Sequence, residues 1–209
     1  SSSPAPFTTQ GKWGKGWDFA GSDDYIQLTD IDITSAITVE AWAYPYNNGS
    51  SPRIVAKPWS SNSDPWNIFK LGMNSTSGEY EFEVTVGGTD YECADVNAAN
   101  LNEWSHVVGT YDGETINLYI NGILIQTNTS PSGNISTNDQ PIYIGYNAVY
   151  GGQDFDGIID EVRISDTARS AEEIRQAYEI GRRTHPITID FSSALNAVDI
   201  KGTSEANAK

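Results

Sequence analysis

The chain has 209 residues, with 12 Lys and Arg against 28 Asp and Glu, for a net charge of −16. Clustered basic residues are what nucleic acid and anionic membrane demand, so this balance argues against both as partners. One cysteine, Cys93, and two histidines, His106 and His185, exclude an internal disulfide, a Cys/His zinc cluster and an HExxH helix. The length suits a single all-β domain, since such units run to roughly 200 residues and bury about 70% of the unfolded surface without staples.

In chain order, Ser1 to Gln10 is a Pro/Ser/Thr segment without the basic and apolar regions of a signal peptide. Residues 1–12 therefore read as a linker inside a longer parent chain, and the folded unit is expected over 13–183. Short β-prone runs then alternate with turn signals, the pattern of a sandwich or barrel. Strands are predicted near Gly16–Ala20, Tyr25–Thr29, Ile37–Tyr44, Arg53–Lys57, Asn67–Met73, Glu79–Val86, Thr89–Ala94, Ser105–Tyr111, Thr115–Ile120, Ile123–Thr129, Ile142–Tyr146 and Gly157–Ile164. Gly87-Gly88 and Asn121-Gly122 tolerate the positive φ of tight hairpin turns. Tyr80, Phe82 and Val84 alternate with Glu79, Glu81 and Glu83, which predicts one buried face and one solvated one. Ser170 and Glu173 form a capping box for one helix, with Ile174, Ala177 and Tyr178 on a face and Gly181 as its expected end. Residues 184–209 contain one further candidate strand, Thr184–Phe191, and otherwise look like linker. No run approaches the roughly 18 apolar residues of a membrane span.

Five blocks carry a family resemblance: Gly16-Trp-Asp-Phe-Ala-Gly-Ser-Asp-Asp-Tyr-Ile26, Ile37-Thr-Val-Glu-Ala-Trp42, Trp104-Ser-His-Val-Val-Gly-Thr-Tyr-Asp-Gly113, Leu118-Tyr-Ile-Asn-Gly122, and Gly157-Ile-Ile-Asp-Glu-Val-Arg-Ile164 followed by Ser170-Ala-Glu-Glu-Ile174. In this order and spacing they resemble the laminin G-like family of the concanavalin A-like lectin/glucanase fold. The resemblance implies an all-β jelly roll of two curved antiparallel sheets with one short C-terminal helix. It also implies a non-catalytic binding or adhesion module in a secreted or surface protein, extracellular and often with a structural calcium.

The family commonly reads Phe-Asp-Gly where this chain has Phe19-Ala20-Gly21, so a metal contact through that Asp side chain cannot form. Calcium takes six to eight oxygens, carbonyls included, which leaves Gly21, Asp23 and Asp24 as candidates. The resemblance places Asp160 near them as the principal ligand. The alternative is that Asp23 and Asp24 cap a turn and Asp160 accepts backbone N–H bonds.

For a polysaccharide or glycan partner, the candidates are loop aromatics, whose flat faces suit the C–H face of a sugar. Trp59 and Trp66 bracket one loop, and Tyr146 and Tyr150 another. The competing reading makes the two tryptophans ordinary packing at the sandwich end, and the domain a structural spacer or a module for other surface proteins. Trp17, Trp42, Trp104 and His106 are expected to be structural, and Cys93 a small buried hydrophobe. Four Asn-x-Ser/Thr sequons, at Asn48, Asn74, Asn128 and Asn134, are consistent with export without establishing it. A glycoside hydrolase of this fold would need paired carboxylates, and the Glu79–Glu81–Glu83 spacing of about 6.6 Å admits them. Their surroundings differ from the catalytic Glu-x-Asp-x-x-Glu and Glu-x-Asp-x-Glu motifs, no lyase constellation is visible, and no catalysis is expected.

Overall fold

Two tight hairpins set the local register. Asn121 and Gly122, with φ of 53° and 76°, turn β10 (Ile116–Ile120) into β11 (Ile123–Asn128). Gly87 and Gly88, at 59° and 81°, do the same between β7 (Glu79–Val86) and β8 (Thr89–Ala98). Paired positive φ gives a twist that matches the flanking strands. The computed structural model that shows this describes residues 7–22, 24–49, 51–61, 64–146 and 153–182.

The remaining strands are β1 (Phe7–Gln10), β2 (Lys15–Ala20), β3 (Ile26–Gln27), β4 (Ile37–Pro45), β5 (Arg53–Pro58), β6 (Asn67–Met73), β9 (Ser105–Tyr111), β12 (Tyr143–Ile144) and β13 (Asp156–Ser165), followed by helix α1 (Ala171–Arg182). They form a seven-stranded sheet in the order β1-β2-β13-β4-β9-β10-β11 and a six-stranded sheet in the order β3-β12-β5-β6-β7-β8. Neighbours within each sheet run antiparallel, and the two sheets make the expected jelly-roll sandwich.

The core lies between the sheets. Val39, Ala41, Ala43 and Val107 face inward from one, and Leu71, Tyr80, Phe82 and Val84 from the other. The sheets approach closely at Gly109, where a Cβ would sit 2.0 Å from Cγ of Phe82, so the Phe82 ring fills the space a side chain there would need. Cys93 is buried in this core, as expected.

Helix α1 docks on the outer face of the seven-stranded sheet. Its capping box is formed, with the Ser170 N–H donating to Glu173 Oε2 at 2.8 Å and the Glu173 N–H to Ser170 Oγ at 3.3 Å. Ile174 is buried against Val108 and Tyr119.

Three expectations need correction here. Phe7–Gln10 is not linker but pairs with β2, from Phe7 opposite Asp18 to Gln10 opposite Lys15. Its Thr-Thr pair was masked by the Pro/Ser-rich composition around it. Gly181 is not a cap past the end of α1 but lies within it against the sheet, where a Cβ would lie 2.5 Å from Cζ2 of Trp42. Glu81 and Glu83 are buried rather than solvated. The expected strand Thr184–Phe191, with the rest of 184–209, lies outside the described residues. Among those residues no helix is long and apolar enough to cross a membrane.

Candidate functional site

Alternation fixes what the six-stranded sheet shows on its outer side. Since Tyr80, Phe82 and Val84 point inward, Glu81, Glu83 and Thr85 point out. The register then carries one row across the whole face: Glu92 opposite Glu83, Glu83 opposite Lys70, Lys70 opposite Ala56, Ala56 opposite Tyr143, and Tyr143 opposite Gln27. A neighbouring row holds Ala94, Glu81, Gly72 and Arg53.

The middle of this face is an ion network. Lys70 Nζ lies 2.5 Å from Glu81 Oε1 and 2.9 Å from Glu83 Oε2, and Asn67 Nδ2 donates to Glu83 Oε1 at 2.8 Å. Burial alone would push the Glu83 carboxyl up, but Lys70, Asn67 and Arg53 together hold it below the usual carboxylate range. Glu92, toward the open edge, has the opposite fate: burial and then repulsion from Glu81 raise it. Asp90, beside it on β8, is pushed up to about 6, chiefly by burial, although it accepts hydrogen bonds from the Thr85 hydroxyl and the Trp66 N–H.

Aromatic rings stand at both sides of this floor. Tyr25 stacks on Tyr146 at 5.4 Å between centroids and meets Tyr143 edge-on at 5.5 Å. On the opposite side Trp66 is 40% exposed, and its N–H donates to Asp90 Oδ2 at 3.2 Å. Four interstrand spacings of about 4.8 Å separate β12 from β8, so the face runs roughly 19 Å, the reach of a short oligosaccharide. Floor residues Lys70, Glu81, Glu83 and Arg53 are buried, as is Tyr143, whereas Tyr25 and Tyr146 are half-buried and Trp66 is exposed, so the polar centre is recessed relative to these last three.

The loop aromatics named from sequence therefore separate. Trp59 packs against the core and donates its N–H to the Trp66 carbonyl at 3.0 Å, which closes the loop. Trp66 is the exposed member. Tyr146 lies in the tyrosine group, and Tyr150 lies outside the described residues. Tyr25 was missed, although Ile26 beside it packs on the core and alternation alone turns Tyr25 outward.

The residues expected to hold calcium do not gather. Asp160 accepts from the Trp13 N–H at 2.9 Å and the Glu161 N–H at 2.8 Å, while Asp24 accepts from the Ala20 N–H at 3.0 Å. In the β2–β13 register Asp156 is opposite Ala20 and Ile159 opposite Trp17, so Asp160 is about 13 Å along its strand from the Gly21 loop. The aspartate beside that loop is Asp156, whose Cβ lies 2.9 Å from where a Cβ on Gly21 would be. Burial and then the charge of Asp18 raise the Asp156 carboxyl, and Asn47 Nδ2 donates to it. Asp23 lies outside the described residues, and among those residues no three His, Cys, Asp or Glu cluster as metal ligands. The set centred on Asp160 does not fit a calcium ion; that carboxylate ties backbone instead.

His106 faces outward from the seven-stranded sheet beneath α1. It packs 5.1 Å from the Trp42 ring and 6.3 Å from Tyr178, and burial, then Arg169 and Arg163, hold its pKa down to about 4. A cavity of about 280 Å³ beside it is lined by Trp13, Glu40, Arg163 and Gln176 among others. Glu40 is bonded to Arg169 and lies 3.3 Å from Arg163.

A family model of the concanavalin A-like lectin/glucanases superfamily matches residues 20–175. No curated protein sequence matches the chain. Among solved structures, domain 4 of AbnA, an extracellular GH43 arabinanase of Geobacillus stearothermophilus in complex with arabinotriose, is similar at a TM-score of 0.67 and 18% identity, over 82% of this chain and 80% of that one. The CBM40 of the Ruminococcus gnavus IT-sialidase, bound to α2,3 sialyllactose, superposes at 0.61 and 16% identity, over 78% of this chain and 96% of that one. The binding domain of Paraclostridial Mosquitocidal Protein 1 gives 0.65 and 14%, over 85% of this chain and 46% of that one. At these identities the likeness shows a shared fold.

Proposed function

The chain belongs to the concanavalin A-like lectin/glucanase superfamily, and from that premise we propose that it is a non-catalytic carbohydrate-binding module of a larger secreted or surface protein. Its ligand is a polysaccharide or glycan, held on the outer face of the six-stranded sheet. The observation that carries this reading is the recessed polar floor around Lys70, Glu81 and Glu83, flanked by Tyr25 and Tyr146 on one side and Trp66 on the other. Rings offer a sugar its apolar contact, and fixed carboxylates and amides its hydrogen bonds. The arabinotriose and sialyllactose carried by two structures of the same fold lend support.

The same network speaks against hydrolysis. A general acid needs a raised pKa, whereas Glu83 is lowered, and Lys70 engages both carboxylates that could serve as a pair. We extend the proposal to a structural calcium at the end of the sandwich where Asp18, Asp156 and the Gly21 loop meet. Carboxylates and carbonyls are the donors that ion takes. A melting temperature that rises with calcium and no longer does so in Asp156→Asn supports it; no rise removes the ion and leaves the glycan reading standing.

The deciding experiment is a polysaccharide array followed by calorimetry on the hits. Binding that weakens in both Tyr25→Ala and Trp66→Ala, with melting unchanged, supports the face. A blank array overturns the reading in favour of a spacer or a protein-recognition domain, and reducing ends released from a bound polymer overturn its non-catalytic part.

A further inference from the structure

Strand β11 closes one edge of the seven-stranded sheet, paired with β10 on one side and with no described strand on the other. Ile123, Leu124 and Ile125 on it are 66%, 49% and 37% exposed. The neighbouring edge of the six-stranded sheet lies alongside, since the Ala94 N–H donates to Gln126 Oε1 at 2.6 Å and Asn128 Nδ2 to the Glu92 carbonyl at 3.0 Å. Continuing that spacing brings Val96, 83% exposed, level with Leu124, but Glu92 and Asp95 keep the β8 edge acidic, so the uncharged apolar stripe is that of β11 alone.

Charge singles this stripe out. From Thr115 to Asn138 the chain runs 24 residues without an Asp, Glu, Lys or Arg, although charged residues make up 19% of the whole. Sheet edges are ordinarily blunted by charges or prolines, and β11 has neither; its one irregularity is a bulge at Ile125, where the register with β10 steps from Leu118 to Tyr119. Elsewhere a net charge of −16 makes two copies repel. An uncharged apolar edge is the surface on which like molecules can meet, whereas a basic partner would be drawn to the acidic remainder.

We infer that the β11 edge is a self-association surface, on which a second copy of this chain seats its own Ile123–Ile125 stripe about a two-fold axis. Such a contact is isologous and closes at two copies, so it yields a dimer rather than a fibre. It lies outside the glycan face and does not depend on that reading.

Sedimentation velocity of the chain over a range of concentrations tests this. The expected result is a monomer–dimer equilibrium that shifts toward dimer with added salt, because screening removes the repulsion while leaving the apolar contact. Leu124→Glu should abolish the dimer with melting unchanged, and so should the milder Ile123→Thr. Mixing Leu124→Glu with Leu124→Lys should restore a heterodimer. A monomer at every concentration and salt, a dimer that survives Leu124→Glu, or growth to larger species each overturns the inference.

Discussion

The two outer faces of the sandwich bury polar groups by different means. On the seven-stranded sheet Trp42 and His106 lie under α1, and the chain supplies its own cover, with Tyr178 stacked 5.8 Å from Trp42 and Gly181 in contact with that ring. On the six-stranded sheet Lys70, Glu81 and Glu83 are equally buried, yet the largest rings near them stand at the flanks. The first face has its own cover, although a cavity of about 280 Å³ remains beside His106 and His106 Nδ1 has no hydrogen-bond partner among the described residues. The second has spent desolvation on charges that satisfy one another, and its flanking rings still present surface, which is the arrangement a ligand can finish. Burial of polar groups alone thus does not mark a site; what distinguishes the two is whether the chain itself provides the lid.

The sharpest way to break this contrast is to remove Lys70. Lys70→Ala leaves two buried carboxylates without a counter-charge and should cost about 3–5 kcal/mol, read from urea unfolding at neutral pH. An effect below about 1 kcal/mol would mean that water reaches the floor freely.

The next largest effect belongs to the covered face. His106 has its pKa lowered to about 4 in the fold against an ordinary 6.5, so the unfolded chain binds more protons between those values. Its contribution is present above pH 6.5 and is lost as the pH falls toward 4, about 3 kcal/mol in all. Unfolding free energies across this range should flatten in His106→Phe.

Gly181→Ala should cost about 1–3 kcal/mol, because the new methyl meets Trp42, while leaving glycan affinity unchanged. A loss of binding in this variant would show that the faces are coupled. Trp66→Ala should do the reverse, lowering glycan affinity roughly tenfold without moving the melting temperature.

Smallest is the pH response of Asp90, and its sign opposes that of His106. With its pKa raised to about 6 from 3.8, the fold holds this proton more tightly than the unfolded chain does, so stability falls as the pH climbs from about 4 to 6. The group is partly exposed, and solvent screening keeps this below about 1 kcal/mol. Asp90→Asn should be more stable than the parent at pH 7, with the gap closing below pH 4.

What sequence could show divides along physical lines. Strands such as Asn67–Met73 and Ser105–Tyr111 were legible to the residue because runs of β-prone side chains end at turn signals, and the Ser170–Glu173 box because capping is local. Phe7–Gln10 was not, since four residues at an edge draw their stability from β2 rather than from their own pattern. Glu81 and Glu83 looked solvated because period-two alternation gives the face of the sheet but not what stands across from it; Lys70 becomes their partner only once β6 and β7 are in register. Asp160 was misplaced for the same reason. One strand's composition cannot say which residue meets a loop when Asp156 and Asp160 sit four positions apart on the same strand.

The neighbourhood of β2 and β13 has one more consequence. The first long strand and the last lie side by side, from Trp17 opposite Ile159 to Ala20 opposite Asp156, and the Trp13 N–H is tied to Asp160 across 147 positions of sequence. The first and last long strands of the sandwich are therefore joined in space, although the Asn121-Gly122 and Gly87-Gly88 turns belong to other strand pairs. A circular permutant cut at either turn, with the old ends bridged by a short linker, would keep every strand in place. The order in which this fold is written along the chain is thus separable from the fold itself.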